Sequence, residues 1–163
     1  FQGARGDSLE IFDGRDLRAE PRTRLWLSGG RAATPSGGTL ILTLPFPAPS
    51  TRETIAELEA RRAPRRFDID VGEVIGPVET TTEYRVALPE GYRARLPQNV
   101  SAESAFGRYS AEFAQQGREL RVVRRYAGRR GTEPRARLPE LLTFLRDMAK
   151  DDVVFIVVEP AAN

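Results

Sequence analysis

The chain has 163 residues, enough for one domain; 40% are apolar and can fill a core, and 29% are charged and cover the outside. It contains no cysteine and no histidine, which removes disulfides, thiol nucleophiles, histidine bases and nearly all zinc and copper sites, and leaves carboxylate chemistry or an oxygen-ligand metal. The net charge is +2, and Lys150 is the one lysine among 25 basic residues; with abundant Ala, Gly and Pro, this arginine bias is what a high-GC coding sequence produces, and it is no binding signature without a patch.

No apolar run approaches the length of a membrane span and no signal peptide opens the chain. Phe1-Gln2-Gly3 resembles the remainder of a cleaved expression tag, so the chain is expected to be an excised piece of a longer protein. Residues 4–24 read as a linker or N-terminal strand region, in which Leu9-Glu10-Ile11-Phe12 could add a strand. Arg5-Gly6-Asp7 matches the integrin-binding tripeptide, a pattern short enough to recur by chance. A single β-sandwich domain is expected over 25–159, with 160–163 as a tail.

Leu25-Trp26-Leu27 reads as a strand, its Trp more often a core filler than a ligand platform. Residues 32–38 read as a turn-rich loop. Thr39–Phe46 is expected as a strand with Leu40, Leu42, Leu44 and Phe46 on one face, ended by Pro45, Pro47 and Pro49. Ser50 and Glu53 have the spacing of a capping box before a short helix carrying Ile55, Ala56, Leu58 and Glu59. Arg61, Arg62, Arg65 and Arg66 surround Pro64 and are read as a solvated linker in preference to an anion site. Phe67-Asp68-Ile69-Asp70-Val71 alternates, so it is expected as a strand with its acids outward. Asp68, Asp70 and Glu73 lack the spacing and central Gly of an EF-hand loop.

Residues 82–127 read as a four-strand meander. Tyr84, Val86 and Leu88 form one apolar face; Pro89-Glu90-Gly91 turns the chain; Tyr92, Ala94 and Leu96 continue it. Tyr109, Ala111 and Phe113 form a third strand, and Leu120, Val122 and Tyr126 a fourth after the Gln115–Arg118 turn. Arg124, Arg125, Arg129 and Arg130 flank Tyr126. They are read as outward strand residues, because one aromatic is a poor stacking platform for single-stranded nucleic acid. Asn99-Val100-Ser101 is a sequon read as incidental. The strong helix runs over 138–150, with Leu138, Leu141, Leu142, Leu145, Met148 and Ala149 in one stripe and Pro139 in its first turn. Val153–Val158 follows as a closing strand with both faces covered. The fold class is therefore mainly β: an antiparallel β-sandwich, Ig-like strand order being one arrangement open to it, with a C-terminal amphipathic helix and a last strand.

The segment Tyr84–Tyr92, followed in order by Leu96-Pro97, Phe106-Gly107-Arg108-Tyr109, Gly117-Arg118-Glu119-Leu120, Val123-Arg124-Arg125, Arg130-Gly131, Phe144-Leu145-Arg146 and Asp151-Asp152, resembles the C-terminal β-domain of bacterial transglutaminase-like proteins. The resemblance covers the second half of the chain well and the first half more loosely. In that family a β-rich domain of unknown function precedes a papain-like core, and a further β-domain follows it. The resemblance implies an accessory module whose partner is the upstream core of the same chain, in an exported or cell-envelope parent. The resemblance implies that the catalytic Cys, His and Asp belong to the upstream core, so no catalytic, metal-ligating or cofactor-binding residue is assigned here and no cofactor is expected.

Three readings follow. The first is a non-catalytic accessory domain packed against the core, or positioning substrate for it. The second is an autonomous peptide- or glycan-binding sandwich, which would use a groove with exposed aromatics such as Tyr92, Tyr109 or Trp26. The third is a carboxylate-only enzyme built from Asp68, Asp70, Glu83 and Glu112, which would need two acids about 5–10 Å apart across a cleft. No nucleic-acid partner is expected.

Overall fold

The structure, a computed structural model, describes residues 5–12, 22–28, 33–44, 51–60, 67–76, 79–152 and 155–161. Its elements in chain order are β1 (Arg5–Phe12), β2 (Arg22–Ser28), β3 (Ala33–Ser36), β4 (Thr39–Leu42), α1 (Thr51–Ala60), β5 (Ile69–Asp70), α2 (Val71–Ile75), β6 (Glu79–Ala87), β7 (Tyr92–Arg95), β8 (Val100–Ser104), β9 (Gly107–Gln116), β10 (Glu119–Gly128), β11 (Thr132–Glu133), α3 (Leu138–Met148) and β12 (Ile156–Pro160). Two four-stranded antiparallel sheets carry the fold, ordered β6-β10-β9-β8 and β3-β4-β12-β7. β1 and β2 pair with each other in a separate two-stranded antiparallel sheet, and β5 pairs with β11.

Residues 82–127 are not one meander. The turn at Pro89-Glu90-Gly91 sends β7 into the other sheet, where it pairs with β12, and the link 97–106 contains β8, a strand the sequence reading did not separate. Pro89 fixes one dihedral of that turn, and Gly91 takes φ 74°, where a side chain would be strained. The crossing is pinned by Leu88, which is buried. Its N–H donates to Arg118 O at 2.7 Å, and its own carbonyl accepts from Arg118 Nε at 3.0 Å.

The first sheet presents Ala102, Tyr109, Ala111, Phe113, Leu120 and Val122 inward, and the second Leu42, Ile156 and Val158; all belong to one apolar core. α3 closes that core with Leu141, Leu142, Phe144, Leu145 and Met148, packing along β8 and against α1, whose Leu58 is buried. Phe144 joins the expected stripe. The helix ends at Met148, so Lys150 sits in the following turn, where it pairs with Asp147. Arg137 prepares the helix start: its guanidinium holds Glu133 and Glu140, and its Cζ lies 5.5 Å from the Phe106 ring centre.

Three further expectations are corrected. Residues 33–36 form a strand, with Gly37-Gly38 turning into β4, because Ala33 and Leu40 both find core to pack on. The strand over Phe67–Val71 is only two residues long. Asp70 instead caps α2, its carboxylate accepting from Glu73 N at 3.1 Å, and a capped turn outcompetes further pairing. The last strand begins at Ile156 and buries one face only: Ile156 and Val158 point inward while Phe155 is 60% exposed. Leu44 is buried beyond the end of β4, which stops at Leu42. Phe46, the prolines around it, Ser50, the arginines at 61–66, Val153 and Val154 lie outside the described residues, as does the side chain of Trp26.

Candidate interaction surfaces

β10 separates two kinds of polar chemistry. Leu120, Val122, Arg124 and Tyr126 have one parity and face the core; Arg121, Val123 and Arg125 have the other, with Arg121 and Arg125 exposed and Val123 buried among the side chains around it. Arg124 was expected outward with its neighbours. It is instead 4% exposed, and its guanidinium is bidentate on Asp151, Nε to Oδ2 at 2.6 Å and Nη2 to Oδ1 at 3.1 Å. Tyr109 donates its hydroxyl to the same Asp151 oxygen. The register explains the fit: Arg124 lies between Ala111 and Thr82, two small neighbours that leave room for the guanidinium. The Tyr84 ring centre sits 5.9 Å from Cζ. Burial costs the Arg124 charge stability, but the hydrogen bonds and attraction of Asp151 outweigh that and hold its pKa above the usual value. Tyr109 is pushed well above a normal phenol, first by burial and then by its bond to the carboxylate. Asp151 sits in the turn after α3, so the cluster ties that helix to the middle of the first sheet. Beside it, Thr51 at the start of α1 donates to Asp152.

The outer face of the same sheet is an exposed lattice. Glu83 and Glu112 both lie beside Val123, from opposite strands. Glu83 accepts from Arg121 and Arg85, each at 2.8 Å, and Glu112 from Arg125 at 2.6 Å. Those hydrogen bonds, Arg121's first, lower the Glu83 pKa to about 2. Two acids locked to arginines on an open sheet face are not arranged as an acid and a nucleophile across a cleft. Asp68 and Asp70 lie elsewhere: Asp68 accepts from Arg135 N at 3.2 Å, and Asp70 is the α2 cap. The four carboxylates of the enzyme reading are therefore not brought together.

One end of this outer face is hollowed. Thr81, Arg125, Ser110 and Ser101 form one row across the four strands, and the short side chains of Thr81, Ser110 and Ser101 floor a shallow depression of about 330 Å³ lined also by Arg125, Glu79, Glu103 and Arg108. Its cations are engaged, Arg108 with Glu103 at 2.8 Å and Arg125 with Glu112. The aromatics of the groove reading are not its lining platform: Tyr109 contributes from the buried side and Tyr92 packs against the core from the other sheet. On the core side of the same strand, α2 approaches β10 closely. Gly107 and Gly128 are register partners, and a Cβ on Gly128 would meet Gly76 O at 2.1 Å. Tyr126 secures the approach by donating to Ile75 O at 2.5 Å.

The second sheet has a different outer face. Ile41 and Val157 are register partners, and Phe155, two residues before Val157, shares their side. Arg95 lies opposite Val157, and Arg93 pairs with Glu159 at 3.0 Å. This is an apolar stripe bordered by charge, with an exposed Phe at its end.

No curated protein matches the chain at significant similarity. Its fold is similar to that of a putative protease from Parabacteroides distasonis, with a TM-score of 0.54 at 15% identity over 75% of this chain. The chain spans 23% of the length of that protein. A family model described as a domain of unknown function with solved structure matches residues 41–158, from the middle of β4 into β12, and so takes in the first sheet, α3 and the second sheet apart from β3 and the start of β4. The chain therefore belongs to the DUF3858 family.

Proposed function

We propose that this chain is a non-catalytic accessory module that packs against another part of a longer protein through the outer face of the β3-β4-β12-β7 sheet. The observation that carries the reading is Phe155, 60% exposed in line with Val157 and Ile41 on a face whose charges lie at its border. An apolar stripe with a polar rim has the composition of an interface between domains. The fold match to a protein about three times as long supports reading the chain as one module among several. The transglutaminase-like resemblance supplies the partner, a papain-like core preceding this domain, in a bacterial parent that is exported or envelope-associated. Any such activity draws its Cys and His from that core, because this chain has neither.

The test is calorimetric binding of this chain to the separately produced core at low and high salt. Saturable binding that survives high salt and is lost in Phe155→Asp supports the interface. Binding that is indifferent to Phe155→Asp, or none at all, overturns it. A second reading, an autonomous glycan- or peptide-binding module, is favoured by one feature: the Ser/Thr floor of the outer depression offers hydroxyls to a polar ligand. A glycan and peptide screen against the wild type and Ser110→Trp, which fills that floor, decides it. A ligand lost in the variant supports the module, and an empty screen removes it.

A further inference from the structure

The four outer edges of the two sheets are not alike. β8 is covered by α3. β3 is four residues long and contains Pro35, which cannot donate. β7 is also four residues long, and the N–H of Ala94 is already taken by the Gln115 side chain at 2.8 Å. β6 differs on every count. It is nine residues long, contains no proline, and pairs with β10 over nine positions without a bulge. Among the described residues no other element packs along it.

The direction of its backbone groups follows from one bond. Leu88 N–H donates to Arg118 O, and these two residues are the next register pair beyond Ala87 and Glu119. Hydrogen-bonded pairs alternate in an antiparallel ladder, so the even residues of β6 turn N–H and C=O toward β10. Glu79, Thr81, Glu83, Arg85 and Ala87 turn theirs to the open edge. Such an edge is a template for another strand.

We infer that this edge pairs with its own copy, joining two chains into one eight-stranded antiparallel sheet. Charge selects among the registers. A two-fold axis through Thr82 places Glu79 opposite Arg85 of the partner subunit, Thr81 opposite Glu83 of the partner subunit, and the reverse on the other side of the axis. Glu83 keeps Arg121 in this arrangement, and Glu79, for which the structure records no intrachain ion pair among the described residues, gains a cation. Arg85 holds Glu83 through Nε and retains further donors on its fork. An axis through Thr81 sets Glu79 against Glu83, and one through Glu83 sets that residue against itself; both oppose like charges. An axis through Tyr84 sets Glu83 opposite Arg85, two residues already paired within each chain, and leaves Glu79 without a cation.

The experiment is sedimentation velocity over a concentration series on this chain and three variants. Thr81→Pro removes an outward donor while leaving the β10 ladder intact. Arg85→Glu makes both Glu79 contacts repulsive, and Glu79→Arg with Arg85→Glu restores them in reverse. The wild type is expected to dimerise, Thr81→Pro to sediment as a monomer, Arg85→Glu to weaken the dimer by about tenfold, and the double variant to recover it. A wild type that stays monomeric throughout overturns the pairing, as does a dimer indifferent to the charge swap. The swap decides the matter even where Thr81→Pro does not fold.

Discussion

Arg124 and Arg125 are neighbours on one strand and belong to different regimes. Arg125 points outward and pairs with Glu112, both side chains about half exposed. Arg124 points inward and pairs with Asp151, side chains 4% and 0% exposed. The chemistry is the same and the solvent is not. Water screens the outer pair and competes for its hydrogen bonds, so little is gained by forming it. The inner pair has already surrendered its hydration, so the partners are held by what each would lose alone. The inner cluster thus couples β9, β10 and the turn after α3, whereas the outer lattice links neighbouring strands across an exposed face.

The largest effect is expected where that coupling is cut on one side. Asp151→Ala leaves a buried guanidinium without its carboxylate, and urea unfolding is expected to show a loss of about 3–5 kcal/mol. Replacing both partners, as Arg124→Met with Asp151→Leu, is expected to recover part of that loss, because the unpaired buried charge is gone while the Tyr109 hydroxyl still lacks its acceptor. A double variant as unstable as the single one would mean that the turn geometry around Asp151, and not the charge pairing, is what the site protects.

Tyr109→Phe sharpens the comparison within the cluster. It deletes one hydrogen bond to a charged group and leaves Asp151 still bidentate with Arg124, so the expected cost is about 1.5–3 kcal/mol. The variant also carries a pH signature. A phenol whose folded pKa is raised above the ordinary 10.0 contributes stability that is present below that value and lost as pH rises beyond it. Tyr126, pushed up to about 12 by burial, acts in the same direction. The alkaline decline in the urea midpoint above about pH 10 is therefore expected to be shallower in Tyr109→Phe than in the wild type.

How much of this was legible in the residues differs between the two regions. Strand alternation over 84–88, 109–113 and 120–126 and the stripe of α3 were readable, because each encodes one wet and one dry side. The sheet each strand joins was not, since period-2 patterning says nothing of partners; β7 looks like the continuation of β6 and pairs with β12 instead. Arg124 shows the limit most sharply. Its even-numbered place among Leu120, Val122 and Tyr126 marked it as inward, but an arginine in an apolar row reads as an exception until its counter-charge is known. That counter-charge stands 27 residues away, in a turn. Asp70 was misread for a related reason: a carboxylate at an alternating position serves an outward strand or a helix cap equally well, and only the fold decides.

On the outer face, Arg125→Ala is expected to change stability by less than about 1 kcal/mol, with the difference vanishing in high salt. A change comparable to that of Asp151→Ala would break the comparison, because exposure would no longer separate the two arginines.

Glu83 gives the smallest effect and the finest test. It is exposed, yet two arginines hold its pKa near 2, against 4.5 for an unperturbed carboxyl. A carboxylate with a lowered folded pKa contributes stability that is present above the unfolded value and is lost as pH falls through the folded one. The contribution should thus be whole above about pH 4.5 and fade toward pH 2. The melting temperatures of the wild type and Glu83→Gln, compared at steps through that window, are expected to converge as pH falls and also to converge in high salt at neutral pH. Convergence with acid but not with salt would mean that Glu83 acts through fixed hydrogen bonds and not through a screened charge. The outer lattice would then share the character of the buried cluster beneath it.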